Sequence, residues 1–153
     1  MPTSLPQLIT EDHVVLGASP ASWQDAIREA AAPLLASGAI GEGYVERMIE
    51  VVDRFGPYIV LAPGVALAHA QPDGSVARTA MSALTVPGGI AFSHEENDPV
   101  RLVLCLAAAD ATSHLEALKG FVQIIRDPSA VDRLVAAHSP ADFRGALTPA
   151  PVD

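Results

Sequence analysis

From Leu102 to Ala109 the chain carries neither a charged nor a hydroxyl side chain, and this run constrains the fold more than any other feature. It falls far below the ~20 residues that a membrane-crossing helix requires. Together with Val100 and Arg101 it reads instead as a strand, Val100–Leu106, with too little polar alternation to face water on either side. A strand of that kind needs helices packed above and below it.

The first third of the sequence supplies two of those helices. Trp23, Ile27, Ala30 and Leu34 recur at helical spacing behind Ser19, Pro20 and Ser22, which suit an N-cap and first turn, and Gly38 marks an end. Pro33 lies inside this pattern and predicts a kink or break, because it has no amide to donate to the preceding turn. A second stripe of Tyr44, Met48, Val51, Val52 and Phe55 runs into Gly56 and Pro57, where a helix should stop.

Beyond Gly56 short β-branched runs alternate with turn residues. Tyr58–Leu61, Ala80–Val86 and Val100–Leu106 read as strands, separated by Pro63, Gly64, Asp73, Gly74, Gly88 and Gly89, with His13–Leu16 as a further strand. Thr112 or Ser113 then caps a helix that has Glu116 three or four residues on and Leu115, Leu118, Val122 and Ile125 facing inward. Ser129–Ala137, behind Pro128, gives a last helix. The order is that of a layered α/β fold with a mixed sheet flanked by helices. Residues 1–147 read as one domain, and residues 148–153, with Pro149 and Pro151, as a frayed tail.

Composition narrows the function. The formal net charge is −9 over 153 residues and only 5% of residues are aromatic, which disfavours binding to phosphate backbones, anionic bilayers or stacked bases. Cys105, the single cysteine, makes neither an internal disulfide nor a thiolate metal cluster, which fits a reducing compartment. Residues 1–12 carry Glu11 and Asp12 but no basic residue, unlike a secretory signal, so a cytoplasmic location is expected. Phosphate-binding Gly-rich loops, dinucleotide fingerprints and HExxH helices do not occur.

Histidine carries what chemistry is left. Five occur, His13, His69, His94, His114 and His138. His69 lies in the segment from Gly56 to Pro72, which holds no charged residue, so its imidazole is expected to be neutral near pH 7 with one ring nitrogen open to act as a nucleophile. The alternative is a core or loop histidine satisfied by a backbone carbonyl. His114 belongs to the first turn of a helix, where amide groups and the helix dipole favour an anion such as a phosphoryl group, or else it is a surface residue beside a serine cap. His94 opens a charged run through Asp98 that suits a solvated loop, while His13 and His138 read as structural or exposed.

The stretch Gly56-Pro57-Tyr58-Ile59-Val60-Leu61-Ala62-Pro63-Gly64-Val65-Ala66-Leu67-Ala68-His69-Ala70 resembles the active-site segment of enzyme IIA components of the bacterial phosphoenolpyruvate-dependent sugar phosphotransferase system. Within that system it is most similar to the ascorbate-type branch of the mannitol/fructose superfamily. Phe92–Val100, Ala107–Asp110 leading into Ser113-His114-Leu115-Glu116, and Ser22–Ala26 fit in the same order.

The resemblance implies a mannitol/fructose-type IIA fold and a phosphocarrier needing no cofactor or metal. His69 would accept a phosphoryl group from the carrier HPr as a tele-phosphohistidine and pass it to a cysteine of a IIB component, which serves a IIC membrane permease. His114 would hydrogen-bond the phosphoryl oxygens. His94 matches a histidine of the ascorbate branch, without an assigned role.

Two positions depart from the family. Ala68 stands where Pro commonly precedes the histidine, and Gln71 stands where ascorbate-type members often have Arg, so a neutral amide replaces a guanidinium. Gln71 keeps a second reading open, a regulatory IIA-like module not coupled to transport. A third is zinc bound by His69, His94 and His114.

Overall fold

The computed structural model describes residues 8–56, 59–70, 76–92 and 96–147, except for the side chains of Ala111, Ser113 and His114. Tyr58, Gln71, Asp73, Gly74, His94 and the tail 148–153 lie outside the described residues. After a single 3-10 turn, Glu11–His13, the elements are β1 (Val14–Val15), α1 (Trp23–Ala36), α2 (Glu42–Phe55), β2 (Val60–Ala62), β3 (Val65–Ala68), β4 (Ala80–Ile90), β5 (Val100–Ala107), α3 (Ala111–Ile125), α4 (Pro128–Val135) and α5 (Pro140–Ala146).

The five strands form one mixed sheet in the order β1-β4-β5-β3-β2. The Leu102–Ala109 run accounts for its centre. β5 pairs antiparallel with β4 and parallel with β3, and its alternate residues serve two cores. Val103, Cys105 and Ala107 join Ala66, Ala68 and the inner faces of α1 and α2. Leu102, Leu104 and Leu106 join Val65, Leu67, Met81 and the residues Phe121, Leu134 and Phe143 of α3, α4 and α5. The two-residue period of a strand thus fills both layers from one short segment.

Local sequence sets the helix boundaries. Ser22 caps α1, its side chain accepting from the Asp25 N–H at 3.2 Å, and Asp127 and Ser139 cap α4 and α5 in the same way. Pro33 neither breaks nor ends α1, which continues to Ala36. It lies in the last turn and a half, where only the hydrogen bond to Glu29 is forgone and the packing of Ala30, Ala31 and Leu34 holds the helix.

Several expectations are corrected. A strand, β3, follows Pro63-Gly64 directly, and Gly64 at φ 76° makes the tight reversal that pairs β2 antiparallel with it. Gly88 and Gly89 do not separate strands. They lie within β4, which shifts register between Thr85 and Ile90, and a Cβ on Gly89 would stand 2.8 Å from Pro99 Cβ. Three helices follow β5 where two were expected, the addition being α5. Only Val14–Val15 of the first predicted strand pairs, parallel to β4.

The inward faces also differ. Phe55 has the azimuth of the α2 stripe but is 70% exposed at the helix's last residue, before Gly56 turns the chain at φ 88°. Among the described residues of α3, Ala117 and Phe121 are buried and Leu118 and Ile125 pack partly buried against the same core as expected, while Leu115 and Val122 are 53% and 44% exposed. Apolar residues occupy much of the circumference of α3, so periodicity alone does not choose which side meets the sheet.

Candidate functional site

Because β3 and β5 are parallel, with Ala68 opposite Cys105, both strands end at the same edge of the sheet. His69 follows β3 there, and the chain leaving β5 at Ala107 enters α3 at Ala111. Carboxyl ends of parallel strands leave open a crevice where α/β folds place their sites. Ala68 and Ala70 both pack into the α1/α2 core, and His69 lies between them just past the end of β3. His114 lies in the first turn of α3 at this edge. Thr112 and Ser113 fall inside that turn, since the helix begins at Ala111, directly after Asp110, and not beyond a Thr112 or Ser113 cap.

The His69 ring is half-buried, and its Nδ1 lies 2.8 Å from the Leu67 carbonyl oxygen. A carbonyl only accepts, so Nδ1 carries the hydrogen, and in the neutral ring the lone pair is on Nε2. The backbone-carbonyl contact anticipated for a merely structural histidine is therefore present, and it selects a tautomer. With that proton placed, Nε2 is the nitrogen able to attack an electrophile.

Neighbouring segments frame the same corner. The Ala109 N–H donates to Thr79 Oγ1 at 3.0 Å, which ties the turn before α3 to the approach to β4. Ala77 N–H donates to the Ala39 carbonyl at 2.7 Å, and Arg78 reaches the Ser37 carbonyl at 3.3 Å. Tyr44, fully buried on α2, extends its hydroxyl to this edge, 2.9 Å from the Leu106 carbonyl and 3.1 Å from both the N–H and the carbonyl of Ala70. The Arg47 guanidinium lies over the Tyr44 ring, 6.0 Å from its centroid.

Tyr44 and Arg47 were missed as site neighbours. The sequence marks Tyr44 only as part of an apolar stripe, although a buried tyrosine hydroxyl always raises the question of its partner. Two other histidines have partners of their own or lie in solvent. His13 is buried, with Nδ1 3.0 Å from the Met81 carbonyl, and His138 is exposed next to the α5 cap, as read from sequence. Cys105 lies beneath the site with its thiol against Met48 sulfur at 3.7 Å, and burial pushes its pKa up to about 12, a shift that the Ser82 hydroxyl partly opposes.

Residues 7–148 match the family described as "Phosphoenolpyruvate-dependent sugar phosphotransferase system, EIIA 2". The chain belongs to that family. It is 33% identical over 133 residues, 86% of each chain, to the ascorbate-specific PTS system EIIA component of Salmonella choleraesuis (strain SC-B67). Its fold superimposes on the mannitol-specific cryptic phosphotransferase enzyme IIA of Escherichia coli with a TM-score of 0.83 and 30% identity, covering 94% of this chain and 97% of the other. The E. coli mannitol enzyme IIA, in a complex with phosphorylated enzyme IIB, shares the fold at a TM-score of 0.80 and 24% identity, with 92% and 98% covered. The mixed sheet flanked by helices is thus the mannitol-type IIA architecture. Among the described residues, no helix is long and apolar enough to cross a membrane, and no three His, Cys, Asp or Glu side chains are grouped to hold a metal ion.

Proposed function

We propose that this EIIA protein is a phosphocarrier: Nε2 of His69 takes a phosphoryl group from a phosphorylated histidine of an HPr-type carrier and hands it to a cysteine thiolate of a IIB component. The observation that carries the reading is the 2.8 Å Nδ1–H contact to the Leu67 carbonyl, on a half-buried ring at the carboxyl edge of the sheet. In the first step the bond from phosphorus to the donor nitrogen breaks as the bond to His69 Nε2 forms. In the second, sulfur displaces Nε2, which regains its lone pair.

Such transfers pass through a loose, in-line transition state, and the protein's share is positioning and stabilisation of spread negative charge. The Leu67 carbonyl fixes the ring and partly offsets the positive charge that develops on it as phosphorus binds. His114, in the first turn of α3, hydrogen-bonds the phosphoryl oxygens, aided by the dipole of that helix.

Partners are read from chemistry and kinship. The exposed Leu115 beside His114 offers apolar surface from which a docked protein excludes water. A net charge of −9 accelerates encounter with a basic carrier surface. The mannitol relative's complex with phosphorylated IIB supports a IIB acceptor, and the ascorbate-specific relatives support an ascorbate-like sugar taken up by a IIC permease. Transfer of this kind runs in the cytoplasm.

Incubation with labelled phosphoenolpyruvate, enzyme I, HPr and a cognate IIB tests the proposal. Wild-type protein should become labelled and then discharge label to the IIB cysteine. His69→Ala should take none, and labelling of that variant would refute the assignment. His114→Ala should accept phosphate but transfer it slowly; a wild-type rate would remove the role given to His114.

A further inference from the structure

Just beyond the last paired residues, Ala68 and Cys105, the ladder between β3 and β5 is replaced by a side chain. The Tyr44 hydroxyl stands between the two strand ends, accepting the Ala70 N–H at 3.1 Å and lying within donating distance of the Leu106 carbonyl at 2.9 Å and the Ala70 carbonyl at 3.1 Å. A phenol oxygen therefore bridges the residue after His69 to the central strand, where a direct backbone contact would otherwise continue the sheet. Tyr44 is 0% exposed, and its helix packs on the same core through Met48 and Val52, so the bridge is anchored from below.

We infer that Tyr44 is a positioning residue for His69: its hydroxyl fixes the backbone at Ala70 where β3 parts from β5, and thereby sets the ring that bonds back to Leu67. Two constraints then bracket His69, the Tyr44 bridge on the residue after it and its own Nδ1 contact with the carbonyl two residues before it. Ala68 carries no ring that would restrict its φ, so backbone stiffness at this turn comes from the bridge. Tyr44 does not touch the transferred group. The inference deepens the phosphocarrier reading and is testable apart from it.

Tyr44→Phe in the full-length protein removes one oxygen and keeps the packing. Phosphoryl transfer from phosphorylated HPr should slow by about tenfold or more with KM for HPr nearly unchanged, because a misplaced nucleophile loses rate and not docking. The nitrogen-15 resonances of the His69 ring should shift from a single Nδ1–H tautomer toward a mixture. As a control for lost stability alone, Val131→Ala in the opposite core should leave both readouts as in wild type. In wild-type protein, the Ala70 amide should exchange with solvent as slowly as the core strands, a measurement that needs no variant to fold. A wild-type transfer rate and ring spectrum in Tyr44→Phe, or rapid exchange at Ala70, would overturn the inference. If wild-type protein takes no phosphate, the carrier reading fails, and the ring spectrum and Ala70 exchange alone decide the role of Tyr44.

Discussion

On one face of the sheet, α1 and α2 bury Ile27, Ala30, Ala31, Leu34, Tyr44 and Met48 completely; on the other, α3 covers the sheet with Ala117 and Phe121 and turns Leu115 and Val122 toward solvent. Both faces receive the same alternating side chains from β5, so the contrast arises in the helices. The first pair is amphipathic, with charged residues such as Arg28, Glu29, Glu46 and Glu50 on the outside. α3 also has a polar outer stripe, Thr112, Glu116, Lys119 and Gln123, but Leu115 and Val122 share its exposed surface, and Leu115 directly follows His114. One face is built to hold the molecule together, and the other leaves uncovered apolar surface next to the site.

Truncations separate the two roles. Phe121→Ala should cost about 3–5 kcal/mol and Leu34→Ala about 2–5 kcal/mol, since each leaves a cavity in a closed core, and chemical denaturation measures both. A loss below 1 kcal/mol at either position would erase the distinction between buried and open helix faces.

Alkali probes the depth of the α1/α2 face. In an unfolded chain the Cys105 thiol ionises near 9.0, whereas burial holds it protonated until about 12 in the folded protein. The unfolded state therefore loses its proton first, and stability falls as pH climbs from about 9 toward 12, by about 1.4 kcal/mol per unit at most from this group. Cys105→Ala should lack that component, and native protein at pH 8 should resist iodoacetamide. Rapid alkylation would mean that this face opens.

Smaller effects belong to the other face. Ser139→Ala removes the α5 cap and should lower stability by about 1 kcal/mol. Leu115→Ala and Val122→Ser should stay within about 0.5 kcal/mol of wild type in denaturation yet weaken transfer between partner proteins. A large loss of stability in the last pair would show that this surface is core after all.

Much of the architecture was legible locally. Ser22 with Asp25 starts α1 where side-chain chemistry says it should, and the run from Leu102 specifies a central strand because no other environment accepts it. His69 stood out as a histidine ending an uncharged segment. Less was legible where geometry depends on what lies opposite. Phe55 has the right azimuth but stays exposed at the helix end with the Arg54 guanidinium over its ring, Gly88 and Gly89 read as a turn but are carried through β4 by pairing with β5, and α5 was overlooked although Ser139, Pro140 and Asp142 spell an N-terminus.

The chain's own chemistry, read residue by residue, determined that a doubly covered strand would organise an α/β sheet and that an imidazole would end an apolar segment, because burial of aliphatic side chains and capping of amides are local demands. Only the tertiary structure decided which ring nitrogen bears the hydrogen, which face of α3 stays open, and that a tyrosine from α2 bridges the ends of β3 and β5. The bridge depends on groups far apart in sequence, Tyr44 with Ala70 and Leu106, that the parallel pairing of β3 with β5 brings within hydrogen-bonding distance, whereas the His69 hydrogen is set by a carbonyl two residues away whose direction the folded backbone fixes.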